Sequence, residues 1–177
     1  MFDLNHIFQV ILFILPAYFA NSLPVLLGGG PPMDFQKNFI DGKRFFGDGK
    51  TWQGFFAGTS IGWLIGIIYC FTLPNSFLNF YQEPLFYLSL GILSGVGALT
   101  GDAFGSFIKR RLDIDKGAPF FLIDQLPFLY ITLLILWFFG LSIINLYDIL
   151  WLTVLTYLVH RVANIIANKF GWKRVPW

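Results

Sequence analysis

Residues 54–74, GFFAGTSIGWLIGIIYCFTLP, run for 21 positions without a charged side chain. That stretch decides the fold. A helix crosses the roughly 30 Å hydrocarbon core of a bilayer in about 20 residues. Lipid offers backbone amides no partners, so only helices and closed barrels span it, and the absence of strict apolar–polar alternation selects the helix. Gly54, Gly58, Gly62 and Gly66 recur at every fourth position, which puts them on one helical face. Small residues at that spacing let membrane helices approach closely.

Four further apolar stretches have spanning length, near residues 5–27, 85–107, 120–140 and 146–168. The expected architecture is therefore an all-α membrane protein, a single domain over 1–177 built as a bundle of five transmembrane helices. The composition agrees: 56% of residues are hydrophobic and 12% charged, about half the charge of an ordinary soluble domain. The glycines of the third span, Gly91, Gly95, Gly97, Gly101 and Gly105, point to tight pairing of spans two and three. The amino terminus shows no basic region followed by a small-residue cleavage site, so no signal peptide is expected. Cys70 is the sole cysteine, which excludes an internal disulfide or a cysteine-rich metal cluster.

Charge is strongly segregated. Lys37, Lys43, Arg44 and Lys50 fall in the first loop, and Lys109, Arg110, Arg111 and Lys116 follow the third span. Arg161, Lys169, Lys173 and Arg174 close the chain. With five spans, all of these lie on one side, while the amino terminus and the connections near 74–85 and 140–147 carry none. The positive-inside rule makes the basic side cytoplasmic. The amino terminus is then outside, the carboxyl terminus cytoplasmic, and the protein a multi-pass component of the cell membrane.

The first basic loop, 28–53, is long for a small bundle, and loops of that length are commonly functional. It holds DGKRFFGDGKTWQGFF, residues 41–56. Gly49-Lys50-Thr51 resembles the end of a phosphate-binding P-loop, but Arg44 stands where the motif needs its first glycine and no strand precedes it. The ingredients still suit a phosphate chain. Lys43, Arg44 and Lys50 supply charge, the glycines could form a backbone anion nest, and a helix N-terminus follows near Gly54. The plainer alternative is an anchor against anionic headgroups.

A second cluster is GDAFGSFIKRRLDIDKGAPFFLIDQ, residues 101–125. Asp102, Ser106 and Lys109 share a helical face. Asp102, at membrane depth, carries a cost of about 2.5–3.5 kcal/mol unless it meets a cavity or a partner. Asp124, just inside the fourth span, carries the same cost. Two carboxylates flanking a basic loop suit a divalent cation, since Mg²⁺ is held by one or two carboxylates together with substrate phosphates. Each could instead bridge to Lys109, Arg110 or Lys116, while Asp113 and Asp115 read as solvated charge. Asn21 and Ser22, beside the helix-breaking Pro24, either line the same cavity or bond a neighbouring helix. His6, near the outer surface and with no acidic partner expected nearby, and His160, beside Arg161, read as structural.

In these segments the sequence resembles the membrane cytidylyltransferases, and within them the archaeal CDP-archaeol synthase family. The stretches that carry the resemblance are ANSLPVLLGG (20–29), DGKRFFGDGKTWQGFFAG (41–58), GDAFGSFIKRRL (101–112) and DQLPF (124–128). The more distant CDP-diacylglycerol synthases share Lys50-Thr51-Trp52-x-Gly54, Ser106-x-x-Lys109-Arg110 and the later Asp124. They also carry a His-Gly-Gly that is absent here, and an acidic residue where Pro127 stands. The resemblance implies that CTP and 2,3-di-O-geranylgeranylglyceryl phosphate react, with Mg²⁺, to give CDP-archaeol and pyrophosphate. It further implies Asp102 and Asp124 as metal ligands, and Lys50, Lys109 and Arg110 as catalytic groups. Lys43, Arg44, Asn21, Ser22, Thr51, Trp52 and Ser106 would contact substrate, with Trp52 stacking on the base.

Two rivals frame that expectation. A CDP-alcohol phosphatidyltransferase would show Asp-x-x-Asp-Gly followed by two spaced aspartates, and it does not. A small transporter with a cation or phosphate site is the alternative from another class, because intramembrane carboxylates and broken helices are common there. The lysines and arginines of this chain, however, all crowd the other end, with none in the outer half to continue a path.

Overall fold

The computed structural model describes residues 3–22, 24–73, 84–115, 118–120 and 122–171. Lys116, Lys173, Arg174 and the outer connection expected near 74–85 therefore lie wholly or mostly outside the described residues. Six helices follow in order: α1 (Leu4–Ser22), the single turn α2 (Pro24–Leu27), α3 (Trp52–Thr72), α4 (Pro84–Arg111), α5 (Pro127–Phe138) and α6 (Leu146–Lys169). Four of them, α1, α3, α4 and α6, are long and apolar enough to cross a membrane, and α5 is a shorter apolar helix.

Two expected spans are corrected. The first helix ends at Ser22 rather than running to 27, because Pro24 cannot supply the amide that would continue it. The fourth begins at Pro127 rather than 120 and has 12 residues, about 18 Å of helix, too short to cross alone. Proline suits the first helical position, where its missing N–H would have no partner. Ahead of it the chain folds into turns, with Leu122 in the left-handed region (φ 67°) and the Leu126 amide donating to Leu122 O at 2.9 Å. Asp124 thus sits in a turn over the end of α4 and not on a helix.

α4 is the central element. A Cβ on Gly62 would stand 2.5 Å from Gly91 O, and one on Gly95 only 2.8 Å from Thr59 Cα. The α3–α4 contact is therefore backbone on backbone. The remaining α4 glycines do not serve that pair. A Cβ on Gly97 would meet Thr132 Cα at 2.7 Å, one on Gly101 Phe128 Cα at 2.5 Å, and one on Gly105 Ile123 O at 2.8 Å. One face of α4 seats α3 and another seats α5. Gly58 in turn receives Ala20 and Pro24, which locks α1 and its break against α3.

Phe13, Ile14, Leu90, Leu129 and Leu136 are fully buried between these helices. α6 packs Leu152, Trp151 and Leu155 against this core and adds polar contacts: Tyr18–Thr156 at 2.5 Å, Tyr130–Thr153 at 2.9 Å, and His6 Nε2 to the Asp148 carboxylate at 3.0 Å. The expectation that His6 has no acidic partner is thereby corrected. Asp148, remote in sequence, also accepts from Asn145 N, which with Asp148 N donating to Asn145 Oδ1 forms the capping box that starts α6, and from Trp151 Nε1 one turn on. His160 stacks 5.0 Å from Phe128 and lies 3.5 Å from Asn21, a packing position.

Candidate active site

The first loop is a folded plate. At its base Met33 N donates to Lys50 O (2.7 Å) and Trp52 N to Pro31 O (3.2 Å), and beyond it Phe39 N donates to Lys43 O (2.7 Å). Thr51 Oγ1 accepts from Gly54 N at 3.1 Å and from Gly29 N at 3.4 Å. Thr51 is thus the N-cap of α3, and it occupies the helix-terminal amide that sequence reasoning offered to a phosphate.

Arg111, in the last turn of α4, latches the plate down. Its guanidinium donates to Arg44 O at 2.6 Å, lies 2.6 Å from the Asp41 carboxylate, and sits 4.5 Å from the centre of the Phe107 ring. Lys43 adds a second stitch, with Asp113 at 2.7 Å and Arg111 O at 3.1 Å. Asp113 is therefore paired, although exposed.

Between plate and helix lies a cavity of about 330 Å³. Residues Arg44 and Phe46–Lys50 form one wall. Asp102, Gly105, Ser106, Lys109 and Arg110 of α4 form another, and Ile123 and Asp124 close it. The α4 spacing of i, i+4 and i+7 brings Asp102, Ser106 and Lys109 to a common face. Lys50 is ion-paired to Asp102. Lys109 Nζ stands 2.7 Å from Asp124 Oδ1 and 2.6 Å from Ala118 O. Arg110 Nε is buried without a hydrogen-bond partner in the same wall. A second cavity of about 120 Å³ adjoins the first across the Lys50–Asp102 pair, lined among others by Asn21, Pro24, Thr51, Gly54 and Phe55.

The remaining sequence candidates fall elsewhere. Ser22 Oγ donates to Tyr18 O at 2.8 Å, a bond back into its own helix. Trp52 packs among Phe35, Phe55 and Phe56, with ring centres 5.9–6.3 Å apart, and it lines neither cavity. Lys43 lines neither cavity as well.

The glycine-bearing nest is already filled. Phe46 N and Gly47 N both donate to Asp34 Oδ2, at 3.1 and 2.9 Å, and Arg44 forks onto the same carboxylate. Burial alone would raise the Asp34 pKa, but Arg44 and the amides of Gly47, Phe46 and Gln36 outweigh it and hold the group well below the usual carboxylate range. Asp34 in turn pushes the Arg44 pKa up. Sequence reasoning passed over Asp34. The signal was an acidic residue directly after the GGGPPM turn, too generic to single out.

A polar, cation-rich cavity at the end of an apolar bundle can hold a polyanion beside a lipid phase. Known proteins share this arrangement of sequence. A family model described as CarS-like, CDP-archaeol synthase, matches residues 2–177. A CDP-archaeol synthase of Pyrococcus horikoshii is 46% identical over 174 residues, 98% of this chain and 99% of that protein. One from Methanocaldococcus jannaschii is 43% identical over 177 residues, covering 97% of each. A solved structure, described as structural insight into an intramembrane enzyme for archaeal membrane lipids biosynthesis, matches with a TM-score of 0.71 and 36% identity over 88% of this chain and 92% of that one. The helical bundle, the basic cavity and a match across nearly every residue agree: the chain belongs to the CDP-archaeol synthase family.

Proposed function

We propose that this protein transfers CMP from CTP to 2,3-di-O-geranylgeranylglyceryl phosphate, forming CDP-archaeol and pyrophosphate. The observation that carries the reading is the cavity in which Lys50, Lys109 and Arg110 converge with Asp102 and Asp124 beside apolar helices. Five crossings are proposed, with α5 completed by the segments on either side of it. The basic loops then face the cytoplasm, where CTP is found, and the lipid phosphate arrives from the bilayer.

The donor set suits Mg²⁺. Asp102 and Asp124 are hard oxygen donors in a common cavity, with side chains 36% and 30% exposed, and two carboxylates supplemented by phosphate oxygens are the usual Mg²⁺ environment. When bound, the ion would neutralise phosphate charge. Each carboxylate is paired here with a lysine. We read Lys50 and Lys109 as transferring from carboxylate to phosphate as the nucleotide enters, so that no charge is left unpaired in a partly buried site.

The lipid phosphate oxygen attacks the α-phosphorus of CTP, and the bond to the α,β-bridging oxygen breaks. The substrate is already a nucleophile, so no enzyme-bound intermediate is required. The protein supplies position and charge. Lys50, Lys109 and Arg110 stabilise the negative charge passing to pyrophosphate, and Ser106 and Arg44 border the same space. Asn21, at the smaller cavity, is suited to the acceptor phosphate.

The test is purified protein incubated with α-³²P-CTP, Mg²⁺ and the geranylgeranyl-ether lipid phosphate, with Asp124→Asn alongside. Label in the lipid phase from the parent and not the variant supports both the reaction and the role of Asp124. Equal labelling removes Asp124 from the site. A folded parent that labels no lipid overturns the reading.

A further inference from the structure

Asp34 lies behind the cavity wall and touches none of the space inside it. Its side chain is 0% exposed. It accepts from Arg44 Nε (3.1 Å), Arg44 Nη2 (2.8 Å), Phe46 N (3.1 Å), Gly47 N (2.9 Å) and Gln36 N (3.1 Å). All but the last come from residues 44–47, whose opposite side faces the cavity. The chain also accepts an unfavourable backbone to build this arrangement. Phe35 and Gln36, directly after Asp34, both have positive φ (47° and 62°), a region that non-glycine residues seldom enter. That turn is what brings Gln36 N back onto the carboxylate.

We propose that Asp34 is a positioning residue for the nucleotide phosphates, acting as an internal anion that fills the backbone nest and orients the wall from Arg44 to Lys50 against the α4 face bearing Lys109 and Arg110. The inference rests on the cytidylyltransferase reading. It assigns different work to the cations. Arg44 is committed to Asp34 and, at 3.0 Å, to Asp48, so it serves as a strut, whereas Lys50, Lys109 and Arg110 hold the polyphosphate. The acceptor lipid lies on the far side of the Lys50–Asp102 pair and should be insensitive to Asp34.

Steady-state kinetics of Asp34→Ala and Asp34→Asn, with each substrate varied in turn, test this. Removing a group that orients contact residues commonly costs about 10–100-fold. The expected result is a rise of that order in KM for CTP with Asp34→Ala, no change in KM for the lipid phosphate, and an intermediate KM for Asp34→Asn, which keeps an acceptor of the same shape. Should Asp34→Ala prove unstable, Asp34→Asn, titrated at a temperature well below its own melting point where it is fully folded, must still bind CTP more weakly. A KM for CTP within twofold of the parent would overturn the proposal. So would both KM values rising together, or a fall in kcat alone that tracks the folded fraction. A parent that labels no lipid defeats the functional reading instead, a separate result.

Discussion

Lys109 Nζ, on the last turn of α4, stands 2.7 Å from Asp124 Oδ1 and 2.6 Å from the Ala118 carbonyl. One largely buried ammonium therefore anchors the turn that leads into α5. Asp124 completes the turn by accepting from Phe120 N at 2.8 Å. The same pair borders the cavity, so under the proposed reaction one contact would serve both catalysis and local folding.

That double use predicts strong coupling. Lys109→Met and Asp124→Asn should each lower CMP incorporation by about 10²–10³-fold, the usual effect of removing a transition-state charge contact. The double variant should be little worse than the worse single, because neighbours in one network do not add. Initial rates at saturating substrate give the cycle; strictly multiplicative losses would mean that the two residues work independently.

The glycine contacts predict where size is forbidden. Gly62→Ala presses a methyl onto Gly91 O, and Gly101→Ala presses one onto Phe128. Overpacking of this kind costs about 1–3 kcal/mol, so each variant should melt several degrees below the parent in detergent. Gly42 has nothing within 4 Å but a φ of 78°, so its alanine variant should suffer from backbone strain rather than from clash. Unchanged melting of Gly62→Ala would show that α3 and α4 are less closely seated than described.

The lowered pKa of Asp34 predicts an acid signature. Its folded value lies below the ordinary 3.8, so ionised Asp34 contributes stability that is complete above about pH 4 and is lost as pH falls from there toward the folded value. The melting-temperature gap between parent and Asp34→Asn should therefore be constant from pH 7 to 5 and close in stronger acid. A gap that widened on acidification would have the wrong sign for this carboxylate.

Orientation can be read by labelling. In a Cys70→Ser background, cysteines at Ile40 and Tyr147, 94% and 79% exposed, should react with a membrane-impermeant maleimide from opposite sides. Tyr147 should label in intact cells, and Ile40 only after permeabilisation. Labelling of both from one side would refute the five-crossing arrangement.

Much of this was legible in sequence because the bilayer imposes simple rules. Length and apolarity located four helices of spanning length, and i, i+4, i+7 spacing specified the α4 face that carries Asp102, Ser106 and Lys109. What failed were two span boundaries, at Pro24 and Pro127, and statements about which partner a group meets. The glycines of α4 divide between α3 and α5 because they lie on two faces, and only packing says which neighbour fills each. The anion nest at Gly47 was visible as glycine. That Asp34 fills it, thirteen residues earlier in the chain, depends on a turn through two left-handed residues that no local propensity predicts. Helix spans are one-dimensional properties of composition, whereas the cavity is made of ion pairs between distant segments, and those follow from where the tertiary fold brings each charge.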